Sequence, residues 1–162
     1  MKHIRMSGIG SVLPGEPVPF EEINQYLGNF QNAPAKLMKW VERMQPVIHE
    51  MLGIEYCHYA FDKESREFTD DNLTLSVKAA QKAMKMAGIK PEDVELLIYG
   101  GAYSYQIPPI STRIQEELGI ERCAELHIHA NCTSVYKGIM LAHTLLRCGE
   151  YKNALVISSS VA

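Results

Sequence analysis

No stretch of the 162 residues holds the roughly 20 consecutive apolar side chains that a membrane-spanning helix needs. The opening M-K-H-I-R-M-S-G-I-G-S-V-L-P lacks both the apolar core and the cleavage site of a secretory signal. Lys and Arg form no run, and the net charge is −3, which argues against a nucleic-acid or anionic-membrane partner. The four cysteines, Cys57, Cys123, Cys132 and Cys148, form no C-x-x-C pair and follow no small secreted scaffold. Reduced thiols and a cytoplasmic location are therefore expected. Disorder is excluded in turn, because 46% hydrophobic against 22% charged residues is the balance of a globular chain with a core.

What is present reads as alternating helices and strands. Residues 4–13 alternate loosely around Gly8 and Gly10 and stop at Pro14-Gly15, which predicts a first strand ended by a turn. A short helix is expected over 20–27. A second, over 33–52, carries Leu37, Trp40, Val41, Met44, Ile48 and Met51 at helical spacing, with Pro46 as a kink or break. Residues 54–67 read as loop with a short strand near Tyr56–Tyr59. Leu73, Val77, Ala80 and Met84 then form one apolar stripe, with Thr69, Asp70 and Asp71 as cap candidates and Gly88 as a stop. From there a helix end, a glycine, a polar segment and an apolar strand recur three times, in M-A-G-I-K-P-E-D-V-E-L-L-I-Y-G-G, E-L-G-I-E-R-C-A-E-L-H-I-H-A and R-C-G-E-Y-K-N-A-L-V-I-S-S-S. That rhythm predicts α/β units on a largely parallel, buried sheet. The last strand, A-L-V-I, has no helix after it to cover it, so further sequence or another chain is expected to complete the sheet.

The stretch H-I-H-A-N-C-T-S-V-Y-K-G-I-M, residues 127–140, joins one such strand to a helix whose expected stripe is Val135, Ile139, Ala142 and Leu146. Cys132 falls at the helix start, where unpaired N–H groups and the positive end of the dipole favour a thiolate. The same joint faces the carboxyl edge of the sheet, where open α/β folds bind ligands. Three readings stay open on these residues alone: Cys132 as nucleophile, Cys132 as a packed or capping residue, and His127, His129 and Cys132 as a metal site, since alternate strand residues share a face.

G-I-G-S-V-L-P, the helix end K-A-M-K-M-A-G-I-K-P-E-D-V-E-L-L-I-Y-G-G, I-P-P-I-S-T-R-I-Q-E-E-L-G-I, the A-N-C joint and G-E-Y-K-N-A-L-V-I-S-S-S together resemble the amino-terminal half of β-ketoacyl-acyl-carrier-protein synthase III, a thiolase-superfamily condensing enzyme. The resemblance implies an α/β thiolase-like fold, with residues 1–162 as one half of the duplicated layered α/β/α arrangement, a mostly parallel sheet, and 30–70 as a helical and loop insertion region. It implies a 3-oxoacyl-carrier-protein synthase III-like acyltransferase of fatty-acid or polyketide-type biosynthesis. In such an enzyme Cys132 takes an acyl group from acyl-coenzyme A or acyl-carrier protein, with no cofactor or metal. Tyr103, Tyr105 and Ile107, in A-Y-S-Y-Q-I-P-P, are implied to shape the acyl pocket or a dimer interface. The His and Asn that serve decarboxylative Claisen condensation belong to the carboxy-terminal half, absent here, so a second chain or missing half is the expected partner in a homo- or hetero-oligomer. The family's R-T-G-I segment is M-L-G-I here, Met51–Ile54, which puts coenzyme A binding in question and favours a carrier-bound donor. The alternative is a non-catalytic thiolase-like subunit that stabilises an active paralogue.

Overall fold

Pro14 and Gly15 turn the chain, Gly15 at φ 57°, and His58 Nδ1 holds that turn by donating to the carbonyl oxygens of Pro14 (3.1 Å) and Gly15 (3.2 Å). The computed structural model describes residues 3–27, 33–101 and 106–161. They form two compact units, Leu13–Asp70 and Met1–Val12 with Asp71–Val161. In the first unit, strand β1 (Val18–Pro19) leads through a 3-10 turn, Phe20–Glu22, into helix α1 (Ile23–Leu27). Helix α2 (Ala35–Leu52) follows and continues through Pro46, which does not break it. It closes at Gly53, whose left-handed φ of 61° is the usual glycine stop. Strand β2 (Tyr56–Cys57) then pairs antiparallel with β1. No residue of α2 is buried; His49 stacks on Phe20 at 4.2 Å, while Leu37, Trp40, Val47, Ile48, Met51 and Leu52 are all exposed.

The second unit carries the sheet. Helix α3 (Asn72–Ala87) starts on a reciprocal cap, in which the Asp71 carboxylate accepts from the Thr74 N–H (2.7 Å) and Thr74 Oγ1 accepts from the Asp71 N–H (2.9 Å). It stops at Gly88 (φ 67°) and buries Leu73, Leu75, Ser76, Ala80 and Met84. Strand β3 (Leu96–Gly100) is buried at every position, as befits an apolar run with no polar face. Helix α4 (Ile110–Glu117), strand β4 (Ala124–Ile128), helix α5 (Ser134–Cys148) and strand β5 (Ala154–Ile157) complete the series. The sheet order is β4-β3-β5, all parallel, with Leu96 opposite Ala124 on one side and Ala154 on the other. Leu97 and Tyr99 face one core with Leu73, Ala80 and Met84 of α3 and Ile110 and Ile114 of α4; Leu96 and Ile98 face a second with Ala142 of α5. Each buried Leu, Ile or Met among them contributes about 1.5–3 kcal/mol on burial.

Two sequence expectations are corrected here. Residues 4–13 form no strand: a Cβ on Gly8 would lie 2.2 Å from the Ala83 carbonyl oxygen, and one on Gly10 2.2 Å from that of Ala79. The two glycines therefore let an extended segment lie directly on the backbone of α3, and Lys82 Nζ ties it by donating to the Ser11 carbonyl at 3.0 Å. The expected stripe of α5 is also rotated. Val135 and Ile139 are exposed, while Ser134, Gly138 and Ala142 are buried. A Cβ on Gly138 would come within 3.1 Å of Val156 and 3.4 Å of Ile98, so α5 meets the sheet through its smallest residues.

Candidate active site

Strand β4 ends at Ile128, and the chain leaves the carboxyl edge of the sheet through His129 and Ala130 into a 3-10 turn, Asn131–Thr133, that runs on into α5. Asn131 has φ 49°, a left-handed conformation that asparagine tolerates better than most residues with a side chain. Ser134 locks the turn from inside: it is buried, its hydroxyl donates to the Asn131 carbonyl (2.8 Å), and the hydroxyl oxygen accepts from the Ala130 N–H (2.9 Å). Thr133 locks it from outside, its hydroxyl donating to the Ala130 carbonyl at 2.8 Å. Cys132 lies between these ties and is exposed. No side chain caps the start of α5, although the Ser134 N–H is already taken up by the Asn131 carbonyl, and the positive dipole end of the helix lies beside the cysteine.

The neighbouring strand sets the depth of this joint. A Cβ on Gly100 would fall 2.8 Å from the carbonyl carbon and 2.9 Å from the carbonyl oxygen of Ser134, so only glycine lets the end of β3 abut the start of α5. Gly101 donates its N–H to the Ile128 carbonyl (3.3 Å), and its own carbonyl accepts from His129 Nδ1 (3.3 Å). His127, paired with Tyr99 across the sheet, meets the Tyr99 ring edge-on at 5.1 Å. Burial pulls its pKa below the ordinary histidine value, and nearby His129 adds to that while Glu125 opposes it. Its Nε2 has no hydrogen-bond partner among the described residues, and the same is true of Ser111 Oγ, Asn72 Oδ1 and Glu125 Oε1.

The metal reading finds no support in this geometry: among the described residues, no three His, Cys, Asp or Glu side chains gather closely enough to hold an ion. Tyr103 and Tyr105 lie outside the described residues. Ile107 is 95% exposed and sits at a cis Ile107–Pro108 bond ahead of α4. An open pocket lined by Pro17, Pro19, Glu55, Tyr56 and His58 belongs to the other unit and includes none of these residues. Sequence reasoning passed over Asn131, Ser134 and Gly100. The signal for the first two was an asparagine followed three residues later by serine at a strand end, a turn-forming pattern.

No family model matches the sequence. A β-ketoacyl-[acyl-carrier-protein] synthase III from Clostridium perfringens is 28% identical over 160 residues, 98% of this chain and 43% of that protein. Its counterpart from Erythrobacter litoralis is 31% identical over 155 residues, 95% of this chain and 42% of its own length. The chain matches the amino-terminal portion of synthase III-like condensing enzymes of the thiolase superfamily. It spans about 43% of the length of the synthase III proteins it matches. In fold, a tetronic acid condensing enzyme superposes with a TM-score of 0.76 at 25% identity, over 96% of this chain and 44% of the other. The parallel β4-β3-β5 sheet thus matches one half of the fold of thiolase-like condensing enzymes. No helix among the described residues is long and apolar enough to cross a membrane.

Proposed function

We propose that this chain is the acyl-accepting part of a synthase III-like acyltransferase and condensing enzyme of fatty-acid or polyketide-type biosynthesis, with Cys132 as the nucleophile. The observation that carries this is an exposed cysteine on a turn held by Asn131, Thr133 and Ser134, beside the uncapped start of α5 at the carboxyl edge of a parallel sheet. The Cys132 thiolate attacks the carbonyl carbon of an acyl thioester. The backbone N–H of Cys132 stabilises the tetrahedral oxyanion, the old C–S bond breaks, and the carrier thiol leaves and takes up a proton. The acyl group stays on Cys132 as a new thioester. Tyr103, Tyr105 and Ile107 are proposed to line the acyl pocket or an oligomer interface, and residues 30–70 to be an insertion in the thiolase-like half. Condensation with a malonyl-type partner draws on His and Asn residues outside this chain, supplied by the remainder of such an enzyme or by a second chain. Met51 and Leu52, where the family has arginine and threonine, favour a carrier protein over free coenzyme A as donor.

Incubation with acyl-carrier protein or acyl-coenzyme A, followed by intact mass measurement, tests the proposal. One acyl increment is expected on the wild-type chain and none on Cys132→Ala. A folded wild-type chain that gains no acyl group, or an adduct that persists in Cys132→Ala, overturns it and leaves the non-catalytic partner subunit as the better reading.

A further inference from the structure

The turn ahead of α5 grips two successive peptide carbonyls in the same way. The Ala130 carbonyl accepts from the Thr133 N–H (3.1 Å) and from the Thr133 hydroxyl (2.8 Å). The Asn131 carbonyl accepts from the Ser134 N–H and from the Ser134 hydroxyl (2.8 Å). The second grip has the larger chemical consequence, because the Asn131 carbonyl and the Cys132 N–H belong to one planar trans peptide unit and point in opposite directions. Whatever fixes the Asn131 oxygen therefore aims the Cys132 N–H. Ser134 is itself a fixed point. It is 2% exposed, and the Ala130 N–H donates to its hydroxyl oxygen (2.9 Å), which leaves the hydroxyl proton directed at Asn131. Its backbone is braced by the end of β3, where a Cβ on Gly100 would fall 2.8 Å from the Ser134 carbonyl carbon. Asn131, at φ 49°, occupies a region disfavoured for a residue with a side chain, so its peptide plane needs such a tie to hold.

We infer that Ser134 is a positioning residue for acyl transfer: through the Asn131–Cys132 peptide it aims the Cys132 N–H at the oxygen that becomes negative during attack. This rests on the assignment of Cys132 as acyl acceptor. As the Cys132 sulfur bonds to the thioester carbon, the carbonyl π pair moves onto oxygen. The pair then returns to re-form the carbonyl, the donor's C–S bond breaks, and the carrier leaves as a thiolate that takes up a proton. Full charge sits on oxygen only in the intermediate between these two steps. A donor already held in place lowers both flanking barriers, because nothing has to reorient as the charge develops. Polarisation acts with the same sign. Two donors on the Asn131 oxygen draw electron density through the peptide and leave the Cys132 N–H a stronger donor. Ser134 exerts both effects through the backbone and needs no contact with the substrate.

Acylation of the full chain by acetyl- and octanoyl-carrier protein, timed by intact mass, tests the role. Ser134→Ala should lower the rate at saturating donor about ten-fold, short of the roughly hundred- to thousand-fold cost of deleting an oxyanion donor outright. The half-saturating donor concentration should stay near the wild-type value. Alkylation of Cys132 by iodoacetamide, a displacement at saturated carbon that forms no oxyanion, should keep its wild-type rate from about pH 6 to about pH 9. Ser134→Cys, closer in volume but a poor hydrogen-bond former, should give the same split and serves where the alanine variant does not fold. Thr133→Ala releases the other carbonyl and should slow acylation several-fold less than Ser134→Ala does. A wild-type chain that is never acylated overturns the Cys132 assignment and this inference with it. An acylated wild type whose Ser134 variants react equally fast overturns the positioning role alone. So does alkylation that falls in step with acylation, or an equal loss in Thr133→Ala. Alanine and cysteine variants that both lose the wild-type far-UV circular dichroism make Ser134 a residue of the fold, and likewise overturn it.

Discussion

Helices α2 and α3 differ little in length, 18 and 16 residues, and hardly at all in the helical spacing of their apolar residues. Their situations are opposite. Helix α3 begins on a side-chain cap and buries five residues against the sheet and the amino-terminal segment, whereas α2 has no side-chain cap at Pro34 and buries none. Amphipathic pattern alone therefore says that a helix has a face to cover, not what covers it. In α3 the answer lies within its own unit; in α2 the apolar face is left for something else.

Substitutions in the two units should separate these cases sharply. Ile98→Ala, at a fully buried position of β3, should cost about 3 kcal/mol in denaturant unfolding, enough to lower expression of the folded chain. Asp71→Ala should cost about 1 kcal/mol through loss of the cap of α3. The Thr74 N–H holds the Asp71 carboxyl below its ordinary value of 3.8. Its contribution is therefore complete above that pH and disappears as pH falls through the lower, folded-state pKa. A wild-type stability that does not fall more steeply in acid than that of Asp71→Ala would argue against the cap. His127 behaves differently, because burial favours its neutral ring. Stability should decline as pH drops below about 6.5, the unfolded-state value, and His127→Gln should flatten that part of the profile. Smallest of all, Trp40→Ala should change the unfolding free energy of the dilute chain by less than about 0.5 kcal/mol, as expected of a side chain with half its surface in water. A large loss there would mean that α2 is integral to the core after all.

The parallel sheet, the caps of α3 and the position of Cys132 at a strand-to-helix joint were all legible in the sequence, since each rests on local signals: an apolar run, a cluster of cap-forming residues at 69–71, a glycine stop. The errors share a cause. The loose alternation around Gly8 and Gly10 suggests a strand, but the two glycines mark backbone lying against α3. In α5 the apolar pattern pointed to Val135 and Ile139, whereas close approach to the sheet selected Ser134, Gly138 and Ala142. Where two backbones nearly touch, the buried face is the one with the smallest side chains, and hydrophobicity scales miss it. Asn131 escaped notice because a left-handed residue has no periodic signature, only a turn-forming neighbour in Ser134.

The sheet order also bears on how the protein is made. Leu96 pairs with Ala124 on one side and with Ala154 on the other, so the most buried strand gains its second neighbour only after another 30 residues of chain have been added. At translation rates of roughly 5–20 residues per second, that leaves one flank of Leu96–Gly100 open for about 1.5–6 s on every nascent chain. For that interval a row of unpaired N–H and C=O groups along one edge of that strand is open to any neighbouring polypeptide. Newborn copies should therefore be far more prone to edge-to-edge aggregation than the finished protein.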